Sequence, residues 1–210
     1  MESKICIKNV WLLTGERECG SLLKYTVLTN GKKIAKILPQ PISESDAVLA
    51  ASADRVIDGD GMLLMPGLYN CHTHSPMTLF RGMGDDLPLD RWLNDCIFPA
   101  EDLLTDERVR VGSDLAIAEM IRGGTVSFSD MYFFCPQTVE AVGASGMKAN
   151  ISRSVVSFDP NGDWTKDVRF AEAEALFCEY NGAFDDRVRW RSGNVSISRT
   201  KKFHFFAFSS

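Results

Sequence analysis

Two of the three histidines in this chain, His72 and His74, stand two positions apart in Cys71-His72-Thr73-His74, directly after Met65-Pro66-Gly67-Leu68-Tyr69-Asn70. Successive side chains of a β-strand face opposite sides. A strand running from Met62 to His72 therefore aims both imidazoles one way and Cys71 and Thr73 the other. That arrangement lets a rigid strand end clamp one divalent metal ion, zinc above all, because neutral imidazole nitrogen is a good zinc ligand. Catalytic zinc ordinarily takes three protein ligands and a water. The remaining histidine, His204, lies far along the chain. The plainer alternative is a pair of histidines satisfied in a core or at the surface.

Residues 1–60 read as a small β module that must precede this strand. Its strands are expected at Ile5 to Leu13, Tyr25 to Thr29, Ile34 to Leu38 and Arg55 to Ile57. Asn30-Gly31 supplies a hairpin signal, and Ser43 to Asp46 reads as a loop. From Met62 the pattern changes to alternating strands and helices. A short helix over Leu89 to Ile97 is expected to stop at Pro99. A longer one is capped by Thr105, keeps Val111, Leu115 and Ala118 on its apolar face, and ends at Gly123-Gly124. Strands follow at Thr125 to Met131, Met147 to Val156 and Arg187 to Trp190. Helices lie between them, at Pro136 to Gly143 and at Asp167 to Tyr180, the latter with Val168, Ala171, Ala175 and Phe177 or Cys178 inward. This alternation predicts an α/β fold with a parallel sheet.

A formal charge of −5, with 24% charged and 45% hydrophobic residues, fits a soluble globular protein and gives no electrostatic footprint for nucleic acid or an anionic membrane. Six cysteines at 6, 19, 71, 96, 135 and 178 contain no C-x-x-C pair, so neither a disulfide framework nor a zinc ribbon is signalled. A reducing cytoplasm and a small-molecule partner fit this composition. No targeting segment and no apolar run of membrane-spanning length is present.

Four blocks together carry a family resemblance: VIDGDGMLLMPGLYNCHTHSPMTLFRG from Val56, DDLPLDRWLNDCIFPAED from Asp85, AIAEMIRGGTVSFSDMYF from Ala116, and GMKANISRSV from Gly146. In this order and spacing the chain resembles the amidohydrolase superfamily, specifically the branch of 5-methylthioadenosine/S-adenosylhomocysteine deaminases and related chlorohydrolases. The resemblance implies a metal-dependent (β/α)8 barrel beside a small β-sandwich. Residues 61–189 would be the first half of that barrel. It further implies that His72 and His74 bind zinc or another divalent metal. A zinc-activated water would then deaminate an adenosine-like substrate.

Carried over residue by residue, the resemblance makes Glu101 the acceptor for the ribose hydroxyls and Arg153 a partner for a carboxylate on the substrate tail. Asp130 orients the second strand end and neighbouring ligands. Trp92 is either an apolar wall or packing, and Gly82 with Gly84 marks either an active-site loop or a surface turn. The family's later ligands are expected beyond the matched blocks, so no catalytic residue is assigned here. Related chlorohydrolase or nucleobase deaminase chemistry, and a non-catalytic fragment, stay open. The full-length family allows a homo-oligomer. Residues 190–210, which include the cluster Phe203 to Phe208, lose all periodicity and read as a shifted-frame or otherwise aberrant, or disordered, tail on a truncated chain.

Overall fold

The computed structural model describes residues 3–14, 23–153, 155–157, 168–190 and 195–197. The chain divides into two compact units, Met1–Pro66 and Gly67–Ser210. The first unit extends past the sequence boundary at residue 60 because Trp11 and Leu12 pair with Leu63 and Leu64.

In the first unit, β1 (Ile5–Leu12) lies between an antiparallel β2 (Lys24–Asn30) and two parallel partners, β4 (Arg55–Asp58) and β5 (Leu63–Leu64), while β3 (Lys33–Pro39) pairs antiparallel with β2. Cys6, Val10, Val27 and Leu28 are its buried apolar side chains. It is a single sheet among the described residues. One helix, α1 (Glu44–Ala51), occupies the segment expected to be a loop. Ser43 caps it by accepting from the Asp46 amide, a polar signature that also serves as a helix start.

In the second unit, four parallel strands lie in the order β10-β8-β7-β6: β6 (Leu68–Thr73), β7 (Thr125–Tyr132), β8 (Lys148–Arg153) and β10 (Val188–Trp190). A separate parallel pair joins β9 (Val155–Ser157) to β11 (Val195–Ile197). The Met62–His72 run is therefore two strands, interrupted at Met65-Pro66-Gly67, where the proline removes a ladder donor. Phe128, Ala149, Ile151 and Val188 on the sheet bury against Ile117, Val139 and Val142 from the helices. The segments 191–194 and 198–210, which contain His204 and the Phe203–Phe208 cluster, lie outside the described residues. Among the described residues no helix is long and apolar enough to cross a membrane.

Three helical expectations change. First, the stretch from Leu89 does not stop at Pro99. It passes from α2 (Leu89–Arg91) through a π-type turn (Trp92–Ile97) into α3 (Phe98–Glu101), with the Phe98 amide donating to the Leu93 carbonyl. Pro99 has no amide hydrogen to give back to the preceding turn, and a widened turn accommodates that loss. Second, α4 (Asp106–Arg122), capped by Thr105 as expected, buries Val109, Gly112, Ser113, Ala116 and Ile117, while Val111 and Leu115 are exposed. Close approach decides the face: a Cβ on Gly112 would stand 2.7 Å from the Pro76 carbonyl oxygen, so only small residues fit. Third, beyond α5 (Cys135–Ser145), α6 (Val168–Tyr180) packs Leu176 and Tyr180 on the core and leaves Val168 and Phe177 exposed. The i,i+4 pair Leu176/Tyr180 carries the bulk that reaches the sheet, one position away from the stripe read in the sequence.

Candidate metal and nucleoside site

The C-terminal ends of β6, β7 and β8 gather the polar side chains. His72 is on β6, and His74, just past the strand end, is the cap residue before a 3-10 turn, Ser75–Phe80. Their rings meet edge to face with centroids 4.9 Å apart and planes at 82°. His74 Nδ1 lies 2.5 Å from the Met131 carbonyl oxygen at the end of β7. A carbonyl only accepts, so Nδ1 carries the hydrogen and Nε2 keeps its lone pair, the tautomer suited to ligation. Burial holds the His74 imidazole below its ordinary pKa. The Met131 hydrogen bond opposes this and His72 adds to it.

The turn that follows the histidines is fastened at several points. Asp130, fully buried on β7, accepts from the Ser75 amide at 2.6 Å. Burial pushes its carboxyl up to about 7, against the pull of those hydrogen bonds. Thr78 Oγ1 donates to the Gly112 carbonyl on α4 at 2.9 Å, the place where α4 comes closest to Pro76. Asp130, expected from the resemblance to orient the second strand end and neighbouring ligands, is joined to the turn one residue after His74.

Glu101, delivered by α3, is half-buried and accepts from the Tyr132 hydroxyl at 2.7 Å. Burial raises its carboxyl above the usual range, the Tyr132 bond works against that, and Asp102 adds to it. The Tyr132 ring centroid is 6.1 Å from that of His74. Tyr132 thus connects Glu101 to the histidine pair. Tyr132 lies one position beyond the strand expected from the sequence at Thr125 to Met131 and is not singled out there. The available signal was its hydroxyl, since a tyrosine expected in a core must find a hydrogen-bond partner there.

Arg153 goes elsewhere. It is paired in register with Tyr132 and shares its strand face, but its side chain turns to α6, where Nε donates to Glu172 at 3.0 Å. Its guanidinium carbon lies 5.2 Å from the Phe133 ring centroid. Arg153, Glu172, Phe133, Cys135 and Leu176 line a cleft of about 490 Å3. Trp92 donates its indole hydrogen to the Met83 carbonyl at 2.9 Å, and Arg81 makes two hydrogen bonds with Glu119, so the Gly82–Gly84 stretch is laid against the helices.

Among the described residues no group of three His, Cys, Asp or Glu side chains is close enough to hold a metal ion. The donor set of His72 and His74 nonetheless fits a metal as two of its ligands: the imidazoles converge, and one has its tautomer fixed for the purpose.

Parallel strands joined by helices, with polar side chains gathered at the C-terminal strand ends, define an α/β scaffold of the kind that places its sites at that end. The chain belongs to the amidohydrolase family, whose model matches residues 63–189. It is 42% identical over 180 residues to a 5'-deoxyadenosine deaminase from Methanothermobacter thermautotrophicus, a match that covers 85% of this chain and 40% of that protein. It is 45% identical over 147 residues to a 5-methylthioadenosine/S-adenosylhomocysteine deaminase from Dictyoglomus thermophilum, covering 69% of this chain and 33% of that one. Among solved structures, an adenosine deaminase from Xanthomonas campestris with bound zinc superposes with a TM-score of 0.74 at 32% identity, over 90% of this chain and 42% of that one. The chain thus spans about two fifths or less of the length of these relatives.

Proposed function

We propose that this chain is the N-terminal part of a zinc-dependent hydrolase that deaminates an adenosine-like nucleoside such as 5'-deoxyadenosine, methylthioadenosine or S-adenosylhomocysteine. The net reaction adds water at the amine-bearing carbon of the purine and releases ammonia. The observation that carries this reading is the convergence of His72 and His74, with Nδ1 of His74 committed to Met131, beside a half-buried carboxylate.

In this reading His72 and His74 hold the metal, zinc or another divalent ion. Its charge supplies the polarisation that makes a water nucleophilic near neutral pH. Glu101 accepts hydrogen bonds from the ribose diol, a task suited to an ionised carboxylate with two acceptor oxygens. Arg153 serves only substrates with a charged tail, because its guanidinium sits in the cleft beside Glu172 and not with the histidines. Residues 1–60 contribute to a small β-sandwich, and 61–189 form the first half of a (β/α)8 barrel, while Trp190 still belongs to the core sheet through β10. The setting is cytoplasmic. The partner is a small nucleoside, with no nucleic acid and no membrane, and the longer protein assembles as a homo-oligomer.

Assaying ammonia release from the three nucleosides by the zinc-loaded full-length protein that contains this chain tests the proposal. Turnover of at least one is expected, and silence with all three overturns it. Guanine and a chlorotriazine in the same assay distinguish neighbouring chemistries. A second reading, a non-catalytic module, draws on the pair of histidines lacking a third ligand among the described residues. Stoichiometric zinc together with deaminase turnover in the purified 210-residue chain counts against it.

A further inference from the structure

The end of β7 uses two consecutive residues in two directions. The Met131 carbonyl accepts from His74 Nδ1, and the Tyr132 hydroxyl donates to Glu101 Oε1. The Tyr132 ring is held between His74, at 6.1 Å, and Phe133, at 4.8 Å between centroids. Tyr132 is buried, so this side chain has little room to turn away. Glu101, by contrast, closes a four-residue helix after a π-type turn, and Tyr132 supplies its only side-chain hydrogen bond among the described residues. A carboxylate at such a place has rotamer freedom that must be removed before it can receive a diol productively.

We infer that Tyr132 is the positioning residue for sugar recognition: its hydroxyl fixes Glu101 through Oε1, so that Oε2 is presented to the 2'- and 3'-hydroxyls of a ribonucleoside. This rests on the proposed role of Glu101 as the ribose ligand. The consequence is a fixed span. The sugar anchor and the histidine pair are both referred to adjacent residues of one strand, so the span between them does not depend on α3 alone. A nucleoside lacking both hydroxyls makes no use of the device.

The test compares equilibrium binding of adenosine and of 2',3'-dideoxyadenosine, by calorimetry, to the intact protein and to Tyr132→Phe, Glu101→Gln and the double variant. Tyr132→Phe keeps the ring and removes only the hydroxyl. It should lower the preference for adenosine about tenfold, the size expected for one charge-assisted hydrogen bond, with dideoxyadenosine binding unchanged. The double variant should lose no more preference than Glu101→Gln alone, since a positioning residue acts through the group it positions. Equal weakening of both nucleosides by Tyr132→Phe, or additive losses in the double variant, overturns the inference. An unchanged preference in Tyr132→Phe beside a collapsed one in Glu101→Gln defeats it while leaving the ribose role of Glu101 standing. An unchanged preference in Glu101→Gln removes that role and this inference together.

Discussion

Strands β8 and β6 belong to one sheet but are held by opposite means. β8 lies between β7 and β10, with Ala149 and Ile151 almost wholly buried against the helix layer. Among the described residues β6 has a strand partner on one side only, and Leu68 and Tyr69 remain 49% and 70% exposed. Yet β6 carries the histidines. Apolar burial sets the position of β8, as in any core strand. The functional end of β6 is set by polar fastenings just past its last residue: Asp130 to the Ser75 amide, His74 to the Met131 carbonyl, and Thr78 to the Gly112 carbonyl. The difference teaches that stability and site geometry in this unit are separable, because they depend on different residues.

The largest effect should come from the core strand. Ile151→Ala removes a fully buried side chain, and a cost of about 2–5 kcal/mol is expected in urea unfolding. The imidazole NMR signals of His72 and His74 should hold their positions in the molecules that remain folded. A large shift in those signals would show that the two strands are not independent.

Gly112→Ala acts on the other side of the comparison. Alanine in a helix interior normally gains about 1 kcal/mol over glycine. Here the new methyl meets the Pro76 oxygen at 2.7 Å and its Cα at 3.0 Å, both backbone atoms, so overpacking of about 1–3 kcal/mol opposes the gain. Net stability should change by no more than about 2 kcal/mol, while the His72 and His74 resonances move clearly. Unmoved resonances would mean that α4 does not hold the turn.

A third effect depends on pH. Asp130 has a folded pKa raised to about 7, above its ordinary 3.8. Its neutral form is therefore favoured by folding. That contribution is fully present below about pH 4 and is lost as pH rises through about 7, at no more than about 1.4 kcal/mol per pH unit. Asp130→Asn keeps an oxygen for the Ser75 amide and removes the ionisation. It should flatten this slope between pH 4 and 7, as read from urea midpoints across the range. An unchanged slope would assign it to other groups.

Much of the scaffold could be read from the residues themselves. The Thr105 cap, the close of α4 at Gly123, the β7 and β8 strands and the shared face of His72 and His74 all follow from local rules, since each depends on residues within a few positions. The inward face of α4 could not be read that way. Hydrophobicity favoured Val111 and Leu115, but the seam is built from Gly112, Ser113 and Ala116, whose value is their smallness against Pro76 and α5. Ser113 and Thr138 even share a hydrogen bond of 3.1 Å across it. The link from Tyr132 to Glu101 spans 31 positions, and the direction taken by Arg153 depends on α6. Both are set by tertiary packing, which periodicity does not encode.

The widened turn at Trp92–Ile97 has a consequence for how this segment tolerates change. Each residue of a helix advances the azimuth by about 100°. Deleting a single residue there to restore regular winding would rotate everything downstream by that angle, swinging the Glu101 carboxyl from its tyrosine toward open solvent. The extra residue behaves as a phase adjuster, and insertions or deletions in this segment should be far less forgiving than substitutions.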